Sequence, residues 1–244
     1  MRSILATVLV FLMVGPVLAQ EVLEIGGQGE TCLEDPQCIN RIHPEIPMVA
    51  RAKAGQMLLF RTRDANDFLG TVDSQTHVTP KLAEYDFGRV HPMTGPVYIE
   101  GAKAGDVLAF TIKKIRPGRY AYTRTGGFAF DLMGPGSKSV LWNLSSEYAV
   151  TDGIPGVKIP NRSFPGVVTT MPDHEKLYEM LRREQALLDA GGKVYVPLKD
   201  FASPSALCGI AGSKSDECLR TIPPREHGGN MDILVRLPSS SLDI

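Results

Sequence analysis

The absences in this sequence narrow it first. After residue 14 no apolar run approaches the roughly 20 residues that a spanning helix needs, so no later stretch is a candidate for crossing a bilayer. Net charge is small, −1 from 26 basic and 27 acidic residues with the histidines taken as neutral. Nucleic-acid binding needs clustered Lys and Arg to displace counterions, and a near-neutral chain offers little there or to a membrane surface. There is no C-x-x-C pair, which argues against a zinc–thiolate site, and no G-x-S-x-G elbow, which argues against a serine nucleophile. None of the four cysteines stands in a catalytic-looking context. These exclusions leave a small molecule as the expected partner.

The chain begins MRSILATVLVFLMVGPVLAQ. Arg2 supplies a positive start, Ile4 to Val14 an apolar stretch, and Val17-Leu18-Ala19 a small-residue cleavage site before Gln20. The apolar run breaks at Gly15-Pro16, too soon for an anchor. Residues 1–19 are therefore expected to be a removable signal peptide, leaving 225 residues of charge −2 in the periplasm or outside the cell. That mature chain is expected to be soluble and free of the membrane. An oxidising compartment permits disulfides. Cys32, Cys38, Cys208 and Cys218 allow three pairings, and the short spacings favour Cys32–Cys38 with Cys208–Cys218.

Residues 20–45 are polar and read as an N-terminal arm or edge, and 46–244 as one β-rich domain. Within that domain short apolar runs alternate with Gly, Pro and Asp, which is the signature of strands. Met57–Arg61, Val97–Ile99, Val107–Ile112 and Val194–Leu198 are the clearest. Ala52-Lys-Ala-Gly-Gln-Met-Leu-Leu-Phe60 recurs as Ala102-Lys-Ala-Gly-Asp-Val-Leu-Ala-Phe110. In each copy a glycine turn should launch a strand with alternate residues, Leu58/Phe60 and Leu108/Phe110, on one face. Two copies fit a duplicated barrel or sandwich better than a solenoid. One strong helix is predicted over about 173–190. Asp173 and Glu175 suit its first turn, and Gly191-Gly192 stops it. Leu177, Met180, Leu181, Leu187 and Leu188 form a stripe expected to pack in the core.

Two segments concentrate constrained and reactive residues. The first, His91-Pro-Met-Thr-Gly-Pro through Asp106, holds His91, Thr94 and Glu100 on a path fixed by proline and glycine. The second is Pro223-Pro-Arg-Glu-His-Gly-Gly-Asn-Met-Asp232, in which His227 and Asp232 flank Gly228-Gly229, a pair that can present bare N–H groups to an oxyanion. Histidine and carboxylate are donor types that zinc accepts, although nothing in their spacing demands a metal. His43, His77 and His174 carry no such context and read as arm or surface residues.

The string HPMTGPVYIEGAKAGDVLAF resembles a stretch of the acetamidase/formamidase family, in which an HP-x-TGP turn precedes an EGA strand and a GD-x-L strand. FRTRDA at 60–65 is similar to the family's earlier strand ending in Asp-Ala, Phe164-Pro-Gly-Val to its FPG turn, and PPREHGGNMD to its GGN-x-D signature. The blocks keep the family's order. This resemblance implies a β-sandwich or barrel-like fold with few helices, a homo-oligomer, and hydrolysis of linear carboxamides such as formamide or acetamide to carboxylate and ammonia. It also implies a divalent metal, with zinc the first choice. Carried over residue by residue, the candidate ligands are His91, His227, Asp232 and Asp64. Glu100 is the candidate proton shuttle, with Asn230 beside it, and Thr94, Gly228 and Gly229 would contact substrate.

The chemistry explains those residue types. An amide carbonyl is a poor electrophile and its nitrogen a poor leaving group. A metal lowers the pKa of its bound water toward about 7 and polarises the carbonyl, while a carboxylate moves the water's proton to the departing nitrogen. The family continues well beyond GGN-x-D, whereas this sequence ends twelve residues after Asp232. The expectation is a C-terminally shortened member. The alternative is a catalytically incomplete relative that binds a ligand or serves as a structural subunit.

Overall fold

A computed structural model describes residues 21–67, 86–124, 139–232 and 241–243. The signal peptide expected over 1–19 and His77 lie outside the described residues. Sixteen short strands and two helices occur among the described residues, so the fold is mainly β. The strands form one four-stranded antiparallel sheet and six two-stranded ones. In the larger sheet Lys158–Pro160, Tyr148–Val150, Ser139–Leu144 and Tyr120–Arg124 lie side by side. Its Trp142 is buried, and the indole N–H donates to Thr123 Oγ1 at 2.9 Å.

The segment read as an arm or edge contributes strands and buried residues to the core. Leu23–Gly26 pairs in parallel with Leu58–Arg61, Cys38–Ile39 pairs with Met93–Thr94, and Arg41–Ile42 with Leu219–Arg220. Ile25, Ile39, Ile42 and Ile46 are buried, and so are Asn40, Arg41 and His43. Those polar residues give the segment its solvent-facing look in sequence. They can be buried because their hydrogen bonds are made inside. Asn40 Oδ1 accepts from the Ser203 N–H at 2.7 Å, and the Arg41 guanidinium donates to the carbonyls of Asn40, Gly88, Leu198 and Asp200. Burial, and next the neighbouring Arg220, lowers Arg41 to about 9, still protonated at neutral pH.

The same guanidinium meets the end of a segment expected to be a strand. Val194–Leu198, expected to be one, runs without strand pairing. The Leu198 and Asp200 carbonyls are taken by the Arg41 side chain, where a strand would offer them to a neighbour. On the other side of the arm, Arg63 reaches Asp35 at 3.2 Å and Asp67 at 3.1 Å, with all three side chains almost wholly buried. Asp67 also accepts the Cys32 N–H at 2.6 Å. That network braces the loop closed by the Cys32–Cys38 disulfide, and a second disulfide joins Cys208 to Cys218.

The repeated sequence forms two matching turns. Gln56 N–H bonds the Lys53 carbonyl at 3.0 Å and Asp106 N–H the Lys103 carbonyl at 3.0 Å. In each turn the fourth side chain closes back on the first N–H, Gln56 Oε1 at 3.0 Å and Asp106 Oδ2 at 2.8 Å. Gly55 and Gly105, at φ 79° and 93°, occupy the position that only glycine takes without strain. The strands that precede the turns, Ala50–Ala52 and Val97–Ile99, pair in parallel. Those that follow are Leu58–Arg61 and Ala109–Thr111, and the latter pairs with Ser241–Asp243.

The predicted helix spans His174–Asp189. Asp173 caps it by accepting the Lys176 N–H at 2.8 Å, and Gly191 leaves it at φ 83°. Leu177 and Met180 are fully buried against Ile42 and Leu219, with Leu181 packed on them. Leu187 and Leu188, expected in the same stripe, are 51% and 40% exposed. The apolar face is therefore confined to the first half of the helix, and the second half has another use.

Candidate functional site

That use is to hold the turn carrying His227. Arg225 and Gly228 exchange both backbone hydrogen bonds, at 2.8 and 2.9 Å, leaving Glu226 and His227 as a two-residue tip. Glu184 on the helix accepts from Arg225 Nε at 2.6 Å and Nη2 at 3.0 Å. Its neighbour Arg183 pairs with Glu226. Arg225 also donates to the Arg220 carbonyl at 2.8 Å. Consecutive helix residues thus grip consecutive turn residues, and a bidentate guanidinium fixes direction as well as distance.

Beyond the turn, Gly228–Asn230 pairs antiparallel with Val167–Thr169, Thr169 lying opposite Gly228. The FPG turn meets the end of the GGN-x-D segment here. Gly166 O accepts the N–H groups of Met231 and Asp232 at 3.1 and 3.2 Å. A side chain at Gly166 would strike Asp232, whose Oδ1 stands 2.7 Å from where a Cβ would lie. Asp232 is itself left-handed, at φ 47°. The carboxylate is thereby set in a bend between two motif segments that are 66 residues apart in sequence.

The first motif joins the second through residues 220–222. The His91 N–H donates to Thr221 Oγ1 at 2.6 Å, and Thr221 Oγ1 donates back to the His91 carbonyl at 3.0 Å. One residue on, the Ile222 carbonyl accepts Asn230 Nδ2 at 3.0 Å. Asp232 is near enough to act on His91 electrostatically. The structure therefore brings His91, Asn230 and Asp232 into one region, with His227 on the turn beside Gly228.

Both imidazoles are neutral at neutral pH. Burial is the main cause of the lowered pKa of each. Arg225 adds to it at His227, and Asp232 opposes it at His91. Each ring also has a buried nitrogen without a hydrogen-bond partner among the described residues, Nδ1 of His91 and Nε2 of His227. Buried polar atoms are nearly always satisfied, by protein or by ordered water, so each of these nitrogens is a candidate contact for a water or a ligand.

The other candidates are engaged in contacts of their own. Glu100 is exposed on the turn after Val97–Ile99, where its N–H bonds the Ala52 carbonyl at 2.8 Å. Charged groups acting on the two histidines include Asp232 and Arg220 at His91, and Arg225 and Glu226 at His227. Asp64 Oδ1 accepts the Tyr122 hydroxyl at 3.0 Å and the Asn66 N–H at 3.0 Å, so it ties its loop to the four-stranded sheet. Thr94 Oγ1 donates to the Arg61 carbonyl at 2.8 Å, which commits its proton to strand packing. The Gly228 N–H is not bare, because it closes the turn onto Arg225. A catalytic zinc takes three protein ligands. Among the described residues no three His, Cys, Asp or Glu side chains are gathered to hold an ion, so those residues do not make a complete zinc site.

Thr169, Thr221, Glu184 and Arg225 are the contributors that the sequence alone does not single out. No local signal marks the threonines, since their roles arise from contacts 58 and 130 residues away. Glu184 and Arg225 are visible there only as a helix acid and a loop base.

In a β-rich scaffold the FPG turn meets the GGN-x-D segment, and the His91 segment is bonded to residue 221, next to the partner of Asn230. The profile of the Acetamidase/Formamidase family matches residues 28–239, and the chain belongs to that family. It is 31% identical over 216 residues to a formamidase from Methylophilus methylotrophus, and this similarity covers 82% of this chain and 52% of that protein. With an acetamidase from Mycolicibacterium smegmatis it shares 30% identity over 220 residues, 80% of this chain and 52% of the relative. The chain thus spans about half the length of these relatives. Among solved structures, a gamma lactamase from Delftia acidovorans superimposes with a TM-score of 0.68 at 27% identity, over 83% of this chain and 52% of that one. An acetamidase from Bacillus halodurans, at 22% identity and a TM-score of 0.54, shares the fold.

Proposed function

We propose that this chain carries the hydrolytic site of an amidase that cleaves short linear carboxamides to carboxylate and ammonia. One observation carries the reading. The His227 and His91 rings each keep a buried nitrogen, unbonded among the described residues, next to the GGN-x-D bend, in a chain of a family whose relatives are named formamidase and acetamidase. A neutral imidazole within reach of a water can take its proton as the water attacks the carbonyl carbon, then return that proton to the leaving nitrogen. His227 Nε2 fits this role. Asp232 is placed to favour the charged form of His91.

The divalent metal implied by the resemblance, zinc first, belongs to the same proposal. The described side chains assemble no complete ligand set for it, so no step is assigned to it. Export to the periplasm or medium is also proposed, supported by the leader pattern at residues 1–19 and by two disulfides suited to an oxidising compartment.

The test is ammonia release from formamide, acetamide and propionamide, with and without added zinc and chelator, alongside a γ-lactam. Release from a linear amide supports the reading, and its loss on chelation supports the metal. No release in any metal condition removes the reading for this chain and leaves the ligand-binding or structural alternative.

A further inference from the structure

We propose that Thr169 is a positioning residue that holds His227 in the tautomer protonated at Nδ1, leaving the lone pair on Nε2. Thr169 Oγ1 lies 2.7 Å from His227 Nδ1, 3.0 Å from the His227 carbonyl and 3.1 Å from the Thr170 carbonyl. A hydroxyl has one proton and two lone pairs. If that proton goes to either carbonyl, the oxygen is free to accept from Nδ1–H, and two hydrogen bonds form. If it goes to Nδ1, only one forms, and the ring proton moves to Nε2, which has no hydrogen-bond acceptor among the described residues. The first arrangement makes one hydrogen bond more and leaves no ring N–H unpaired. The first arrangement therefore holds, and the free lone pair of His227 is on the ring's far side from Thr169.

The backbone fixes this geometry. Thr169 is paired opposite Gly228 in the antiparallel ladder, and the Thr170 N–H bonds the His227 carbonyl at 3.0 Å. The hydroxyl thus reaches His227 from a neighbouring strand whose register is set independently of the ring. Use of Nε2 as a proton acceptor rests on the hydrolase reading, whereas the tautomer is a property of the folded chain alone.

The test is NMR of the chelator-treated protein with ¹⁵N-imidazole histidine, at a pH above the His227 titration, the resonances being assigned by their loss in His227→Gln. The expected result is a protonated Nδ1 and an unprotonated Nε2. Thr169→Ser should preserve that pattern, and Thr169→Val should abolish it in favour of the Nε2–H form or a mixture. A wild-type ring protonated at Nε2, or a Thr169→Val spectrum equal to wild type, overturns the proposal. If Nδ1 is protonated but no amide is hydrolysed, the hydrolase reading fails and the tautomer assignment stands. If amides are hydrolysed by a protein carrying Nε2–H, the tautomer assignment fails and the hydrolase reading stands.

Discussion

Glu184 accepts both Nε and Nη2 of Arg225, at 2.6 and 3.0 Å, and so ties the long helix to the turn that carries His227. The side chains are 14% and 2% exposed, so the pair is held largely away from water. Removing one member of a buried pair leaves an uncompensated charge. Glu184→Ala is expected to destabilise the fold by about 3 kcal/mol. Arg183→Ala breaks an ion pair whose side chains are about half exposed and should cost under about 1 kcal/mol. Urea unfolding of the two variants measures the contrast, and equal losses would show that the helix does not hold the turn through Glu184.

The helix should respond unevenly along its length. Leu177 is fully buried, and Leu177→Ala should lose about 2–5 kcal/mol through lost burial and a cavity. Leu187 is 51% exposed, so Leu187→Ala should stay within about 0.5 kcal/mol. Thermal unfolding of both variants would check the difference. A large loss at Leu187 would mean that this surface is covered in solution.

The pH dependence of stability follows from the three histidines whose pKa is lowered, His43, His91 and His227, with burial the largest cause at each. His43 is wholly buried, its Nδ1 accepting from the Glu45 N–H and its Nε2 standing 3.5 Å from Glu217. A depressed histidine pKa means that the unfolded chain binds protons first. The stabilisation is complete above the unfolded value, near 6.5, and is lost as pH falls through the folded values. Unfolding free energy should therefore drop between about pH 7 and pH 5, before the carboxylates titrate. His227→Gln should flatten that slope, which denaturation across the range would measure. Stability that rises on acidification in this window would contradict the assignment.

The elements legible in the sequence are those encoded locally. The helix is readable from Asp173, the apolar spacing and Gly191. The matching turns are readable from Ala-Gly repeats fifty residues apart. Long-range satisfaction is not readable. Asn40 and Arg41 look like part of a solvated arm or edge because most of their partners lie elsewhere in the chain. Val194–Leu198 looks like a strand because nothing local shows that Arg41 takes the Leu198 carbonyl. The two motif segments are visible, but their junction through Thr221 and Ile222 is not. Neither is the exposure of Glu100.

The most direct experiment is steady-state ammonia release from acetamide and formamide by wild type and His227→Gln, with circular dichroism confirming that the variant is folded. Turnover by the wild type and a fall of about 100-fold or more in kcat for the variant are expected, the scale of losing a positioned proton acceptor. A folded His227→Gln protein that turns over amides at the wild-type rate would contradict the placement of the chemistry at this turn.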